Sequence, residues 1–512
     1  MQSNSRSNQQ SLDQRIVTAL FTPVDAASLV YFRIVFYAVM VWESYSLTKL
    51  NWVGLYYSDK EFYFTYWPFD FIHPWPAEWT SIHICAMGLV AACALCGLFY
   101  RLSATLFFFL WTYLFLLEKA LYINHLYLVC LLSFLMIFIP ANRIFSFDVL
   151  RKSEKRSDTV PAWALWLVRF QIGVPYFFGG LAKINADWLQ GEPLRLWLAD
   201  RATIPIIGPL FNYESTVWGM TYGSLIFDLT AIFFLLNRRT RVFCYGVALF
   251  FHFMNARLFG VGIFTWMMIG ATLIFFEPDW PRRVLHDVQQ GFSRRVQRLT
   301  FGGLLGLLSG AITWQFSWVR AGLGALGVGV LAYHLDGPVR QASKPNIQPL
   351  LSLHLTGLQR GLLAFLGIWV VIQLLLPFRH FVIPGNVHWT EEGHNFAWHM
   401  MLRQKEVEGF FVVTDPATGK EWDLNPRQYL TRVQLTQMLS RPHMIVQFAH
   451  YLGQRLQADG YGDVEIHARI SAALNGREAQ CLIDPAIDLT QVAYPWLGHA
   501  EWIMPLEKPL RR

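Results

Sequence analysis

Charged residues are scarce in this chain. Only 15% of its 512 residues are Asp, Glu, Lys or Arg, against roughly 25% in a soluble globule. Meanwhile 54% are hydrophobic and 16% aromatic. A wholly soluble globule is excluded, and a membrane protein with a smaller soluble part is expected. Cysteine is scarce too. Cys85, Cys93, Cys96, Cys130, Cys244 and Cys481 fall mostly in apolar runs, which suits buried thiols better than a disulfide framework. No glycine-rich phosphate loop and no HExxH motif is present. His388, His394 and His399 lack the linear spacing of a metal site, so no metal is expected. The opening MQSNSRSNQQSLDQR is too polar for a cleavable signal peptide.

What is present is a series of long apolar runs. About 20 apolar residues cross a bilayer as a helix. The expected spans are about 25–47, 79–100, 102–121, 122–140, 162–182, 217–236, 242–256 and 260–277, a glycine-rich pair at 302–318 and 321–335, and a last span at 361–377. The expected fold is a polytopic α-helical membrane bundle of about 9–11 spans with a mixed α/β, strand-rich C-terminal extramembrane domain.

The formal net charge of +7 reads as a topology signal rather than a nucleic-acid footprint, and no nucleic-acid partner is expected. With the N-terminus in the cytoplasm, the inward loops are basic: RIFSFDVLRKSEKR (143–156), NRRTR (237–241), PRRVLHDVQQGFSRRVQR (281–298) and DGPVRQASK (336–344). The outward loops at 56–79 and 184–216 are longer, aromatic and poorer in Lys and Arg. The predicted organisation is a cytoplasmic tail at 1–20 and a transmembrane catalytic domain at 21–280. A basic linker at 281–360 carries the hydrophobic insertion 302–335. The last span at 361–380 and an outer-side domain at 381–512 complete it. In the outer domain GFFVVTDPATGKEWDL reads as a hairpin, YLTRVQLTQMLS and PHMIVQFAHYLGQRL have helical spacing, and VEIHARI alternates before a turn at NGR.

Three polar features fall on the outward side. Lys183 closes the fifth span in PYFFGGLAKINADWL, Asn124 and His125 open the fourth, and His252 and Asn255 stand at the outward end of the seventh. Ionisable residues in spans default to functional hypotheses. Taken singly, a lysine at a helix end can snorkel, and a histidine can cap a helix or bond a carbonyl. Arg33 and Glu43 in the first span suit helix packing or snorkelling. A desolvated lysine can instead serve as a general base or a nucleophile. At the boundary between hydrocarbon and water it could act on a lipid-soluble acid such as a hydroquinone; a Schiff-base or transport lysine remains an alternative.

YFFGGLAKINADWL (176–189) closely resembles the active-site lysine segment of vitamin K-dependent gamma-carboxylases, with a bacterial-style start. Stretches resembling other parts of the family follow in the same order: FTPVDAASLVYFRIVFYAVMVW, YINHLYL, LIFDLTAIFFLL, FFHFMNARLFGVGIF, FFEPDWPRRV and LLPFRHFVIPGNVHWTEEGHNFAWHMMLR. The likeness covers most of 20–485. It implies an enzyme in which a lysine deprotonates reduced vitamin K, dioxygen adds, and collapse to the epoxide yields a strong base. That base removes a γ-proton from a peptide glutamate, and the carbanion takes up carbon dioxide. By resemblance the lysine is Lys183 and the histidine near the glutamate is His125. Asn124, Tyr176, Gly179, Gly180, Asp187, Trp188, His252 and Asn255 are expected to line the quinol and substrate pocket. The implied partners are the bilayer, a lipid-soluble quinol and a glutamate-containing peptide or protein, with the outer domain in the periplasm or ER lumen. One departure is Ala182, where vertebrate-type members have a second lysine. Quinol epoxidation without carboxylation, or a non-enzymatic membrane binding or transport role, stands as the alternative.

Overall fold

The computed structural model describes residues 12–49, 52–57, 60–205, 207–289, 356–495 and 498–510. The glycine-rich pair expected at 302–335 lies outside the described residues.

Nine apolar helices form the membrane part among the described residues: α1 Ala27–Lys49, α2 Ala77–Cys96, α3 Tyr100–Leu117, α4 Asn124–Phe138, α5 Ala162–Ala182, α6 Glu214–Leu236, α7 Arg241–Phe259, α8 Phe264–Thr272 and α9 Gly357–Leu375. Six of them, α1, α2, α3, α6, α7 and α9, are long and apolar enough to cross a membrane. The expected membrane bundle is present, with six candidate spans among the described residues. At 1.5 Å per residue, the 15 residues of α4 reach only about 22 Å, short of the roughly 30 Å hydrocarbon core. Helix α8, extended by a 3₁₀ turn to Phe275, is shorter still.

Helix α5 has the length of a span but a different composition. It carries Arg169, Gln171 and Pro175, and most of its residues are buried. Its polar groups are spent on neighbours. Arg169 donates to the carbonyls of Ile274 (2.9 Å) and Phe276 (2.8 Å). Gln171 accepts from the Trp369 indole at 3.0 Å and so pins α9 to α5. In α1 the buried Arg33 donates to the carbonyls of Ala141 (2.8 Å) and Phe145 (2.6 Å), the packing role expected for it. Outward-facing residues such as Leu89, Phe109, Phe243 and Phe250 are exposed, as a lipid-facing surface requires. All six cysteines are free.

The C-terminal domain has the expected mixture. Strands β1 Lys405–Asp415, β2 Lys420–Leu424, β3 Glu465–Leu474 and β4 Gln480–Cys481 form one antiparallel sheet in the order β2-β1-β3-β4. Burial alternates along β3, so one face meets the core. The NGR turn between β3 and β4 puts Asn475 (φ 51°) and Gly476 (φ 77°) in the left-handed region. Helices α10 Arg432–Ser440 and α11 Pro442–Ala458 pack on the sheet, α10 starting with a Thr431–Gln434 capping box.

The two parts share buried contacts. Phe64, from a loop, and Ala120, from the 3₁₀ turn Lys119–Leu121, belong to the membrane part in sequence but to the core of the outer domain in space. Glu118 accepts from Lys60 (3.0 Å) and from Gln434 of α10 (2.8 Å).

Candidate active site

The site starts from a pair of glycines. A Cβ at Gly180 would stand 2.6 Å from the Leu229 amide nitrogen and 3.0 Å from the Asp228 carbonyl carbon. Only a residue without a side chain lets α5 and α6 approach this closely. A Cβ at Gly179 would meet Met400 at 2.7 Å and lie 4.0 Å from the Trp398 carbonyl oxygen. Gly180 therefore makes room for a helix, and Gly179 for the outer domain's leading segment.

That approach brings Asp228 of α6 against Lys183, the residue that caps α5. The Lys183 Nζ lies 2.5 Å from Asp228 Oδ2, with both side chains buried. The rings of Trp188 and Phe251 flank the Lys183 nitrogen at 5.2 and 5.6 Å from their centres, within cation–π range. So Lys183 does not snorkel; it is enclosed by a carboxylate and two aromatic faces.

The following residues fix this geometry. The Asn185 side chain accepts from the Trp188 amide at 2.9 Å and donates to the Ala182 carbonyl at 2.9 Å. The first contact caps a one-turn helix, Ala186–Leu189. The Trp188 indole donates to the Thr221 carbonyl at 3.2 Å. Asp187 is engaged by the outer domain. It takes two 2.6 Å hydrogen bonds from Arg477 and one of 2.7 Å from Asn475. Burial pushes the Asp187 pKa up, but the hydrogen bonds from Arg477 and Asn475 and the Arg477 charge outweigh it, leaving the carboxyl below its ordinary value. Asp187 thus clamps the membrane part to the NGR turn.

The two histidines stand further along a row of rings. Phe251 lies 5.5 Å from His252, His252 lies 6.1 Å from Phe264, and Phe264 lies 5.4 Å from His125, centre to centre. The buried His252 Nε2 is 2.6 Å from the Tyr176 hydroxyl, which is also 3.1 Å from Thr272 Oγ1. Asn255 is half-buried one turn beyond His252. Asn124 is claimed by the outer domain: it donates to the His399 carbonyl at 2.9 Å and accepts from Tyr122 at 3.0 Å. An apolar crevice lined by Tyr57, Trp111, Leu114, Phe115, Leu121 and Leu126 lies beside this end of α4.

The sequence-predicted residues therefore gather at one end of the bundle, under the segment 396–400. Lys183, Trp188, Tyr176 and His252 form a contiguous apolar–aromatic site with Asp228. His125 lies across Phe264 from His252, and Asp187 and Asn124 serve domain docking. Asp228 is the residue that the sequence reading passed over. Its signal was a lone carboxylate in LIFDLTAIFFLL, deep in an apolar span.

Residues 21–280 match the HTTM domain model. Residues 358–509 match the lumenal domain of vitamin K-dependent gamma-carboxylase. The chain belongs to the vitamin K-dependent gamma-carboxylase family. No solved structure matches the chain significantly. Membership gives this family member a vitamin K-dependent carboxylase function in general terms, with reduced vitamin K, dioxygen and carbon dioxide as its reactants. The gamma-carboxylase domains also account for the two-part architecture, a multi-pass bundle joined to an extramembrane domain. The donor set suits a hydroquinone. A buried amine–carboxylate pair can exchange a phenolic proton, and Trp188 and Phe251 offer flat apolar faces to a flat apolar ring.

Proposed function

We propose that this protein couples oxygenation of a membrane quinol to γ-carboxylation of peptide glutamate, with Lys183 as the base that starts the sequence. The observation that carries the reading is the buried Lys183–Asp228 pair between two aromatic rings at the bundle end covered by the outer domain. When bound, the quinol supplies the reducing chemistry that activates dioxygen.

The chain's own residues bind, hold protons and exclude water. For Lys183 to take up the phenolic proton, the proton between the two side chains must sit on Asp228, which their 2.5 Å contact allows. Accepting a second proton leaves an ammonium beside a neutral carboxylic acid, so the pair gains a positive charge where a phenolate would form. In a water-poor site that charge stabilises an anion far more than it would in water. Tyr176 and His252 hold each other's polar atoms and shape the wall beyond Phe251. His125, across Phe264 from that wall, would donate a hydrogen bond to negative charge on a glutamate side chain. Trp398 and Met400 roof the site and limit water entry, which protects a strong base and a carbanion. The outer domain would then face the periplasm in a bacterium or the ER lumen in a eukaryote, where it meets the peptide substrate.

The test is a paired assay on purified protein in detergent or nanodiscs. Epoxide is measured from reduced vitamin K in air, and labelled carbon dioxide incorporation is measured on a glutamate peptide. Wild type should give both products. Lys183→Ala should lose epoxide by at least about 100-fold, the scale of one positioned base. Wild type that forms no epoxide sinks the reading. Epoxide without carboxylation supports the narrower epoxidase.

A further inference from the structure

His388, His394 and His399 stand 6 and 5 residues apart, a spacing without a metal signature. The fold erases that linear distance. A single helical turn, Val387–Thr390, ends at Glu391 with φ 62°, and further left-handed residues at Gly393, Phe396 and Trp398 curl the chain back on itself. The result is a cluster of three imidazoles with ring centres 5.1, 5.2 and 6.3 Å apart. One ring nitrogen of each lies within 4.8 Å of the others. Three imidazoles on one tetrahedral zinc ion, each nitrogen about 2.0–2.1 Å from it, place their ring centres roughly 5 Å apart. Two of the three observed separations already match, and the third needs a shift of about one ångström.

The hydrogen-bond accounting points the same way. All three histidines are more than nine-tenths buried. Both ring nitrogens of His388, Nδ1 of His394 and Nδ1 of His399 have no hydrogen-bond partner. Leaving a buried polar group unpaired costs about 1–3 kcal/mol, so four in one cluster is an unusual concentration. The surroundings resemble an outer shell. Glu391 Oε2 lies 3.6 Å from His394 Nδ1, just beyond hydrogen-bond distance, and Glu391 is itself held by Lys405 at 3.0 Å and by Arg403 at 2.5 Å. A carboxylate fixed in this way orients a metal-bound imidazole. His399 is further anchored through its carbonyl to Asn124.

We propose that His388, His394 and His399 bind one divalent transition-metal ion, with zinc the best chemical match. Three neutral nitrogen donors without a thiolate suit zinc, cobalt, nickel or copper rather than magnesium or calcium. Three protein ligands leave a fourth position open to water or to an incoming carboxylate. The ion would brace the segment that carries Trp398 and Met400 over Gly179, which ties the metal to the roof of the proposed active site. The proposal does not depend on the carboxylase reading, because its readout is binding.

The test uses full-length protein without a histidine tag, stripped with a strong chelator and titrated with cobalt(II). The expected result is the intense visible absorption of a tetrahedral cobalt site, saturating at about one ion per chain and displaced by zinc. His394→Ala and His399→Ala should each abolish the band, whereas His467→Ala on β3 should keep it. A wild-type protein that shows no tetrahedral band overturns the proposal, whatever the variants do. So does a band that survives both His394→Ala and His399→Ala, since the ion then sits elsewhere.

Discussion

Lys183 and Asp228 are only 6% and 4% exposed, so neither can change charge without consequence for the other. A lysine in an apolar run poses one question at the sequence level, whether it reaches water or serves as a base. The structure changes that question, because the amine is neither free nor solvated. It belongs to a pair, with its Nζ 2.5 Å from the Asp228 carboxylate. Removing one partner of a buried pair leaves an uncompensated charge. Asp228→Asn should therefore lower quinol epoxide formation by about 100-fold or more, while carrying a KM for peptide close to wild type. Epoxide formation within about twofold of wild type would show that Lys183 acts without Asp228. The lysine and its glycines were legible in the sequence; the partner was visible as a lone acid, but its pairing arises from a helix contact 45 residues away. That contact depends on Gly180. Gly180→Ala forces a Cβ to within 2.6 Å of backbone, which cannot yield as a side chain would. The expected cost is about 1–3 kcal/mol, read as a lowered midpoint in thermal unfolding of the detergent-solubilised protein. A variant as stable as wild type would mean that the helices part easily.

At the scale of elements, the short helices Leu12–Phe21, Trp52–Tyr57 and Trp280–Gln289 were not anticipated. Apolar run length found the nine apolar helices of the bundle, and periodicity found both longer outer-domain helices and the two hairpins. They overestimated α4 and α8, because an apolar run does not reveal where a helix stops. They were also silent on how the elements meet. The contact of Asp187 with Asn475 and Arg477 joins positions about 290 residues apart, and nothing in local pattern encodes it. Asp187 has its pKa lowered by that contact. Its stabilisation is therefore present above the unfolded-state value near 4 and is lost as pH falls through the lower folded-state value. Hydrogen exchange at 186–189 and 474–477 should rise together in acid. Asp187→Asn leaves Arg477, whose side chain is 8% exposed, without its counter-charge, at an expected cost of about 3–5 kcal/mol. The variant should show the raised exchange at neutral pH and little further change in acid. Wild-type exchange in the variant would show that the domains dock by apolar contacts alone.

At the scale of the whole molecule, the site needs the outer domain to sit on one defined side of the membrane, since it is built from both parts. The basic loops 143–156 and 237–241 belong to the bundle end opposite Lys183: α5 runs from Ala162 to Ala182, and Arg169 and Arg241 sit toward its beginning. There Arg282 ties Asp25 to Asp158, at 2.9 and 3.0 Å, in a cluster close to the chain's first span. If positive charge stays in the cytoplasm, the Lys183 end and the domain after α9 face outward. Cys481 gives a direct measurement. It is free and exposed in β4, whereas the exposed Cys85 and Cys96 belong to the apolar helix α2. A membrane-impermeant maleimide applied to intact cells should label wild type and fail on Cys481→Ser. With the protein produced in a bacterial inner membrane, labelling of Cys481 only after the cells are broken would place the outer domain in the cytoplasm. The peptide-facing role proposed for it would then require a cytoplasmic substrate.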